Sequence, residues 1–142
     1  MRRVSRLAPQ NALFVVAVAE DLPAELDGTI AGISIYFPWG SLLRGLIAPS
    51  PAVLRSIARV LRPGGSLVAL LSITGRDGGA PLGPRSIDRA AYAARGLEVA
   101  DWRPATRREI DVSDSSWAKR LLSAAPRPVW LLRACKEGGR RR

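Results

Sequence analysis

Histidine is absent from this chain, and cysteine, methionine and lysine are nearly so. Without histidine, nothing in the interior titrates near neutral pH. The single cysteine, Cys135, excludes an intramolecular disulfide and a cysteine-based zinc site, fits a reducing cytosol, and is read as a packing residue; no metal is expected. No apolar run approaches the roughly 20 residues that a membrane span needs. Met1-Arg2-Arg3 is not followed by a clean signal-peptide core either, because Pro9, Gln10 and Asn11 intervene. The expectation is a cytoplasmic chain without a membrane partner. Acidic residues are scarce as well: 12 Asp and Glu face 22 Lys and Arg, a formal charge of +10. An anionic partner follows, most simply a phosphate backbone bound in a salt-sensitive way. Twenty of the basic residues are arginine, which suits bidentate phosphate recognition but is equally produced by coding bias.

What remains is the composition of an ordinary globular protein, 47% hydrophobic over 142 residues, enough for one domain with a real core. Residues 1–10 read as a basic arm and 136–142 as a disordered tail. Residues 11–19, NALFVVAVA, are continuously apolar, which predicts a strand covered on both faces. Glu20-Asp21-Leu22-Pro23 ends it. Residues 33–45, ISIYFPWGSLLRG, are a β-branched and aromatic run stopped by Pro38, Trp39 and Gly40, with a short helical pattern from Ser41. Residues 50–61 have helical apolar spacing behind Ser50 as N-cap and Pro51 in the first turn. Arg62-Pro63-Gly64-Gly65 closes that helix and residues 66–73, SLVALLSI, form the next apolar strand. A glycine- and proline-rich loop (75–84), a helix (85–95), a half-exposed strand (97–108), a helix (113–124) and a last strand (129–134) complete the chain. Serial strand–helix–strand units predict an α/β fold with a parallel sheet and helices on both faces.

In such sheets ligands sit beyond the carboxyl ends of the strands, where Trp39 lies, badly placed for core and well placed for a planar partner. The glycine-rich loop lacks dinucleotide-binding spacing, and Pro81 and Pro84 remove donors from it. Glu20 is either a solvated loop carboxylate or an acceptor for a ribose or an adenine amino group. In residues 114–127, DSSWAKRLLSAAPR, Trp117 stands off the face formed by Ala118, Leu121 and Leu122, with Lys119, Arg120 and Arg127 around it and Ser115 and Ser116 at the helix start. Aromatics beside cations suit an unstacked RNA base; capping of a hydrophobic cluster is the alternative for Trp117. Trp102 and Trp130, inside strand-like runs, read as packing.

The segments FVVAVAEDLP, YFPWGSLLRG, LRPGGSLVALLS, SSWAKRL and PRPVWLL resemble, in the same order and across most of residues 11–135, the 16S rRNA (adenine(1408)-N(1))-methyltransferase family of aminoglycoside-resistance enzymes. The resemblance implies a class I, S-adenosylmethionine-dependent methyltransferase (Rossmann-like) fold acting on 16S rRNA in the 30S subunit, with Trp39 and Trp117 sandwiching the flipped adenine. It also implies that Ala19 and Glu20 meet the cofactor adenosine and that the strand end Ser34, Ile35, Tyr36, Phe37, Pro38 and Trp39 lines the cofactor. Ser115, Ser116 and Trp117 would lie by the cofactor and base, and Lys119, Arg120 and Arg127 on the RNA. Tyr36 stands where the family pattern has Asn. The family's first strand, glycine-rich loop and second strand precede the point where the resemblance starts. The expectation is therefore a sheet lacking its first two strands, with two inner edges unpaired. Three functional readings result: the methyltransferase, a non-catalytic basic RNA-binding remnant that keeps both tryptophans, and a truncated gene product with no stable function.

Overall fold

The computed structural model describes residues 11–48, 50–73, 80–116, 118–120 and 127–138; the arm 1–10, the first half of the glycine-rich loop and residues 139–142 are among those outside them. Four strands form one sheet in the order β1-β2-β4-β3, with β1 at Ile30–Tyr36, β2 at Leu61–Leu71, β3 at Leu97–Pro104 and β4 at Trp130–Lys136. Strands β1 and β2 are parallel, whereas β4 is antiparallel to both β2 and β3. The sheet is mixed and not all-parallel as expected, because the connection between β3 and β4 starts and finishes at one end of the sheet.

Period-two alternation in β2 divides the interior in two. Leu67, Ala69 and Leu71 point to the larger core, built with Leu43 and Leu46 of α1 (Gly40–Ile47), Val53, Leu54 and Ile57 of α2 (Pro51–Val60) and Tyr92 of α3 (Arg89–Ala93). Leu70 points to a smaller core with Leu131 of β4, Val129, Ala118 and Ile110 of α4 (Arg107–Val112). Helices thus cover both faces. Helices α1 and α2 pack closely because position 45 is glycine: a Cβ there would stand 2.7 Å from Val53 Cγ2. Expected packing holds for Trp102 and Trp130, which are 8% and 7% exposed and stack at 4.8 Å with 29° between their planes. Trp102 Nε1 also donates to Gly83 O at 2.9 Å, seating the end of the glycine-rich loop on β3.

Three expectations change. Residues 11–19 form no strand: 12–17 have no regular structure, and Leu13, Phe14, Val15, Val16 and Val18 face solvent. A strand needs a neighbour to pair with, and among the described residues this run has only the local Val18–Asp21 bridge. The outer edge of β1 is likewise open among the described residues, as the resemblance implied. Arg62-Pro63-Gly64-Gly65 lies inside β2 as a bulge, where the register jumps from Ile30↔Leu61 to Gly32↔Ser66. Finally, Cys135 is exposed at the far end of β4 and does not pack.

The last turn of α1 shows how the larger core is closed. Its carbonyl at Leu46 has no partner within the helix and is buried, and it accepts from the fully buried Tyr92 hydroxyl at 2.7 Å. Burial pushes that phenol well above its ordinary pKa. Tyr92→Phe keeps the ring but orphans the carbonyl, so a loss of about 1–3 kcal/mol in urea unfolding is expected; a variant as stable as the parent would mean that this bond is not a buried one.

Candidate functional site

The carboxyl end of β1 makes an abrupt exit from the sheet. Ile35 still packs on the larger core and Tyr36 is half-exposed, while Ser34 faces solvent. Phe37 N donates to Leu70 O at 2.9 Å, one residue beyond the strand, and Phe37 adopts φ 51°. A left-handed bulky residue is strained, and its ring rests on the smaller core. Half-buried Pro38 and extended Trp39 follow, with Trp39 as the N-cap of α1 and its indole 82% exposed. Leu43 and Leu46 carry the burial of α1, so the indole is free of any packing duty.

Ala19 and Glu20 are half-buried in the turn before Leu22. That turn is fastened to α2: Leu22 N donates to Ser56 Oγ at 3.1 Å, and Arg59 donates to Leu22 O and pairs with Asp27. Glu20 lines a groove of about 240 Å³ with Ala24, Ala52, Arg55 and Arg59. Because α2 leads back to the start of β2, its first half lies at the carboxyl end of β1. Ala52 and Arg55 belong to that half, so Glu20 stands at the same end of the sheet as Trp39.

The β3–β4 connection occupies that end too, since β3 finishes at Pro104, opposite Trp130 where β4 begins. The expected strand over 97–108 stops at Pro104 and gives way to α4. Helix α4 carries a capping box in which Thr106 Oγ1 accepts from Glu109 N and Glu109 accepts from Thr106 N, while Arg103 donates to both Glu109 oxygens, at 2.7 and 3.0 Å. Thr-x-x-Glu at 106–109 was the sequence signal for this helix. Beyond it, Ser113 Oγ donates to Ile110 O, and Asp114 turns through φ 44°. The expected helix over 113–124 begins at Ser116 in the described residues. Ser115 is half-buried and Ser116 exposed; Lys119 is exposed and held to Asp114 at 3.0 Å. Arg120 is exposed and Arg127 half-buried, and Trp117 lies outside the described residues.

Tyr36 and α4 meet across a cleft of about 350 Å³ floored by Val68, Leu70 and Leu131, with Arg108 and Val112 on its rim. The structure therefore brings the end of β1 and the connection carrying 113–120 to one end of the sheet. Glu20 is there as well but on the other face, beside α2. Among the described residues no cluster of His, Cys, Asp or Glu could hold a metal.

Electrostatics make α4 a fixed platform. Hydrogen bonds from Arg103 and then from the Thr106 backbone hold the Glu109 carboxyl down to about 2, from an ordinary 4.5. A carboxylate with a depressed pKa stabilises the fold fully above its unfolded value, and that contribution is lost as the pH falls through the folded value. Glu109→Ala is expected to lower stability at pH 7 by about 1 kcal/mol. The gap from the parent should close between pH 4.5 and about 2; thermal melts of both proteins across that range check it, and a gap independent of pH would sink the assignment.

Comparison with known proteins bears on the family and the fold. Residues 1–136 match a family model described as "NpmA: 16S rRNA (adenine(1408)-N(1))-methyltransferase". A 16S rRNA (adenine(1408)-N(1))-methyltransferase of Streptoalloteichus tenebrarius is 36% identical over 127 residues, which cover 82% of this chain and 58% of that protein. The crystal structure of the antibiotic-resistance methyltransferase Kmr superposes with a TM-score of 0.69 at 34% identity, covering 91% of this chain and 63% of that one. A tryptophan-to-alanine mutant of the 16S rRNA (adenine(1408)-N(1))-methyltransferase from Catenulisporales acidiphilia, with cosubstrate SAM, superposes with a TM-score of 0.73 at 29% identity, covering 89% and 62%. The chain thus spans about three fifths of the length of these relatives.

Proposed function

Because the chain belongs to the 16S rRNA (adenine(1408)-N(1))-methyltransferase family, we propose that it takes part in S-adenosylmethionine-dependent methylation of N1 of a flipped decoding-site adenine in the small ribosomal subunit. Cytoplasmic action and aminoglycoside resistance follow from that product. The observation that carries the reading is the Trp39 indole, 82% exposed at the carboxyl end of a strand within the family's FPWG motif.

The residues at this end of the sheet fit the adenosine part of the cofactor. The Glu20 carboxylate, half-buried beside α2, is an acceptor for a ribose hydroxyl or an adenine amino group, and Ala19 beside it adds no competing charge. The exit of β1 from Ser34 to Pro38 offers backbone and aromatic surface unburdened by ion pairs. When bound, S-adenosylmethionine supplies an electrophilic methyl on its sulfonium.

This chain's own task is positioning. Adenine N1 carries a lone pair and needs no strong base, which agrees with the lack of histidine. Trp39 offers one face to the base, and Trp117, from the SSW motif, the second. Stacking of about 1–3 kcal/mol per aromatic offsets the cost of taking the base out of its stack. Ser115 and Ser116 supply hydroxyls beside that pocket, while Lys119, Arg120 and Arg127 hold the phosphates that fix the register of the RNA.

The test has three measurements on the purified chain: titration with S-adenosylmethionine, binding to small subunits, and transfer of labelled methyl to those subunits. Saturable cofactor binding and a reverse-transcription stop at one decoding-site adenine are expected. No saturable cofactor binding would refute the enzyme, and subunit binding without it would leave the RNA-binding remnant as the correct reading. Trp39→Ala and Trp117→Ala are each expected to lower methylation about 5- to 150-fold, the range that a loss of one stacking face implies. Since Trp39 is 82% exposed, its variant should melt with the parent; normal methylation by either variant would refute the sandwich.

A further inference from the structure

A second cleft, of about 490 Å³, lies between α4 and the residues Asp114, Ser115, Ala118 and Lys119, within the size range of small-ligand sites. Its floor is apolar, from buried Ile110 and Ala118. One rim carries Arg107 and Asp111, the other Asp114, Ser115 and Lys119. The charges are arranged as two ion pairs, Arg107 Nε to Asp111 Oδ1 at 3.1 Å and Lys119 Nζ to Asp114 Oδ1 at 3.0 Å.

We propose that this cleft is a second nucleotide subsite, holding the RNA residue that flanks the methylated adenine; this rests on the reading above. Ser115, set there beside the adenine pocket, and Lys119, set there on the RNA phosphates, both line it, so the two sites are contiguous. The cleft is recognised by its mixture of signs. A phosphodiester alone calls for cations, and two carboxylates would oppose it. A nucleotide whose base bears an amino group uses both: its phosphate takes the cations, and the freed carboxylates accept from the amino edge. The base plane lies on Ile110 and Ala118.

The exchange is easy because all four partners are exposed, and exposed pairs hold little net free energy. Arg107 engages Asp111 only through Nε, and among the described residues its terminal nitrogens have no partner, leaving the fork for a phosphate. The platform does not move in this exchange, since Arg103, Glu109 and Thr106 fix α4 independently.

The experiment measures affinity of the 142-residue chain for purified small ribosomal subunits as a function of salt, for the parent and for Arg107→Ala, Arg107→Lys and Asp111→Asn. Arg107→Ala is expected to weaken binding about 5- to 20-fold and to reduce the slope of log K against log salt by about 1, the mark of one lost phosphate contact. Arg107→Lys should keep that slope. Asp111→Asn should weaken binding at unchanged slope, because it removes an acceptor and not a phosphate contact. Parental affinity and slope in the Arg107→Ala protein would overturn the subsite while leaving the RNA reading intact. Tighter binding by Asp111→Asn would also overturn it, since the carboxylate would then merely repel the backbone. A parent chain that fails to bind subunits above an unrelated RNA removes the RNA reading itself. Melting temperatures of the variants, expected within a few degrees of the parent, separate these outcomes from misfolding.

Discussion

Double pairing of β2 is the constraint on which the rest of this structure depends. Residues 66–70 pair in parallel with β1 on one side and antiparallel with β4 on the other, so the middle of the strand spends its backbone groups inside the sheet. The same register decides the burial of every side chain on it. Leu67, Ala69 and Leu71 enter the larger core and Leu70 the smaller, and a slip of one residue would exchange the two sets. The bulge at Arg62-Pro63-Gly64-Gly65 sets that register. A Cβ on Gly65 would lie 2.8 Å from Arg62 O and 3.0 Å from Ile30 O, contacts with backbone that a side chain could not relieve.

From this register the site at the carboxyl end follows. Leu70 O accepts from Phe37 N one residue past β1, and the chain must then leave the sheet through a left-handed residue. That exit lifts Trp39 away from the core. On the opposite side of β2, β4 has to run back, so the connection that leaves β3 at Pro104 and enters β4 at Trp130 starts and finishes at the same end. Two stretches distant in sequence therefore meet there, with the Phe37 ring resting on the smaller core that Ile110 and Ala118 help build. The sheet brings them together, and the loops carry the chemistry.

Much of this was legible in the residues, for identifiable reasons. Ser50-Pro51 with apolar spacing gave α2 because proline at the first turn and the period agree, although the Ser50 side chain makes no capping bond, and the Trp102 and Trp130 positions gave packing because they fall on strand faces turned to the core. The run at 11–19 misled because apolarity states what a segment must cover and not whether a neighbour exists to cover it. Helix α4 was lost for a different reason: the apolar alternation of β3 was extended past Pro104, although Thr106 and Glu109 three residues apart mark a helix start. The parallel sheet was misjudged because nothing local in WLLRACK distinguishes a strand running one way from a strand running the other.

The arginine excess divides along the same physical line. Arg59 bonds Leu22 O and Asp27, Arg89 reaches Val99 O from α3, and Arg103 grips Glu109. These guanidiniums hold elements of the fold together, so moving any of them to a phosphate would break a contact that the structure uses. Arg107, on an exposed pair, has no such obligation. Net charge attracts a polyanion from a distance whichever arginines supply it, so the formal +10 governs the rate and salt dependence of encounter. A cation that can change partner is what contact with a phosphate needs, and Arg107, on the helix that follows the carboxyl end of β3, is one such cation at the end of the sheet where the Trp39 indole stands exposed.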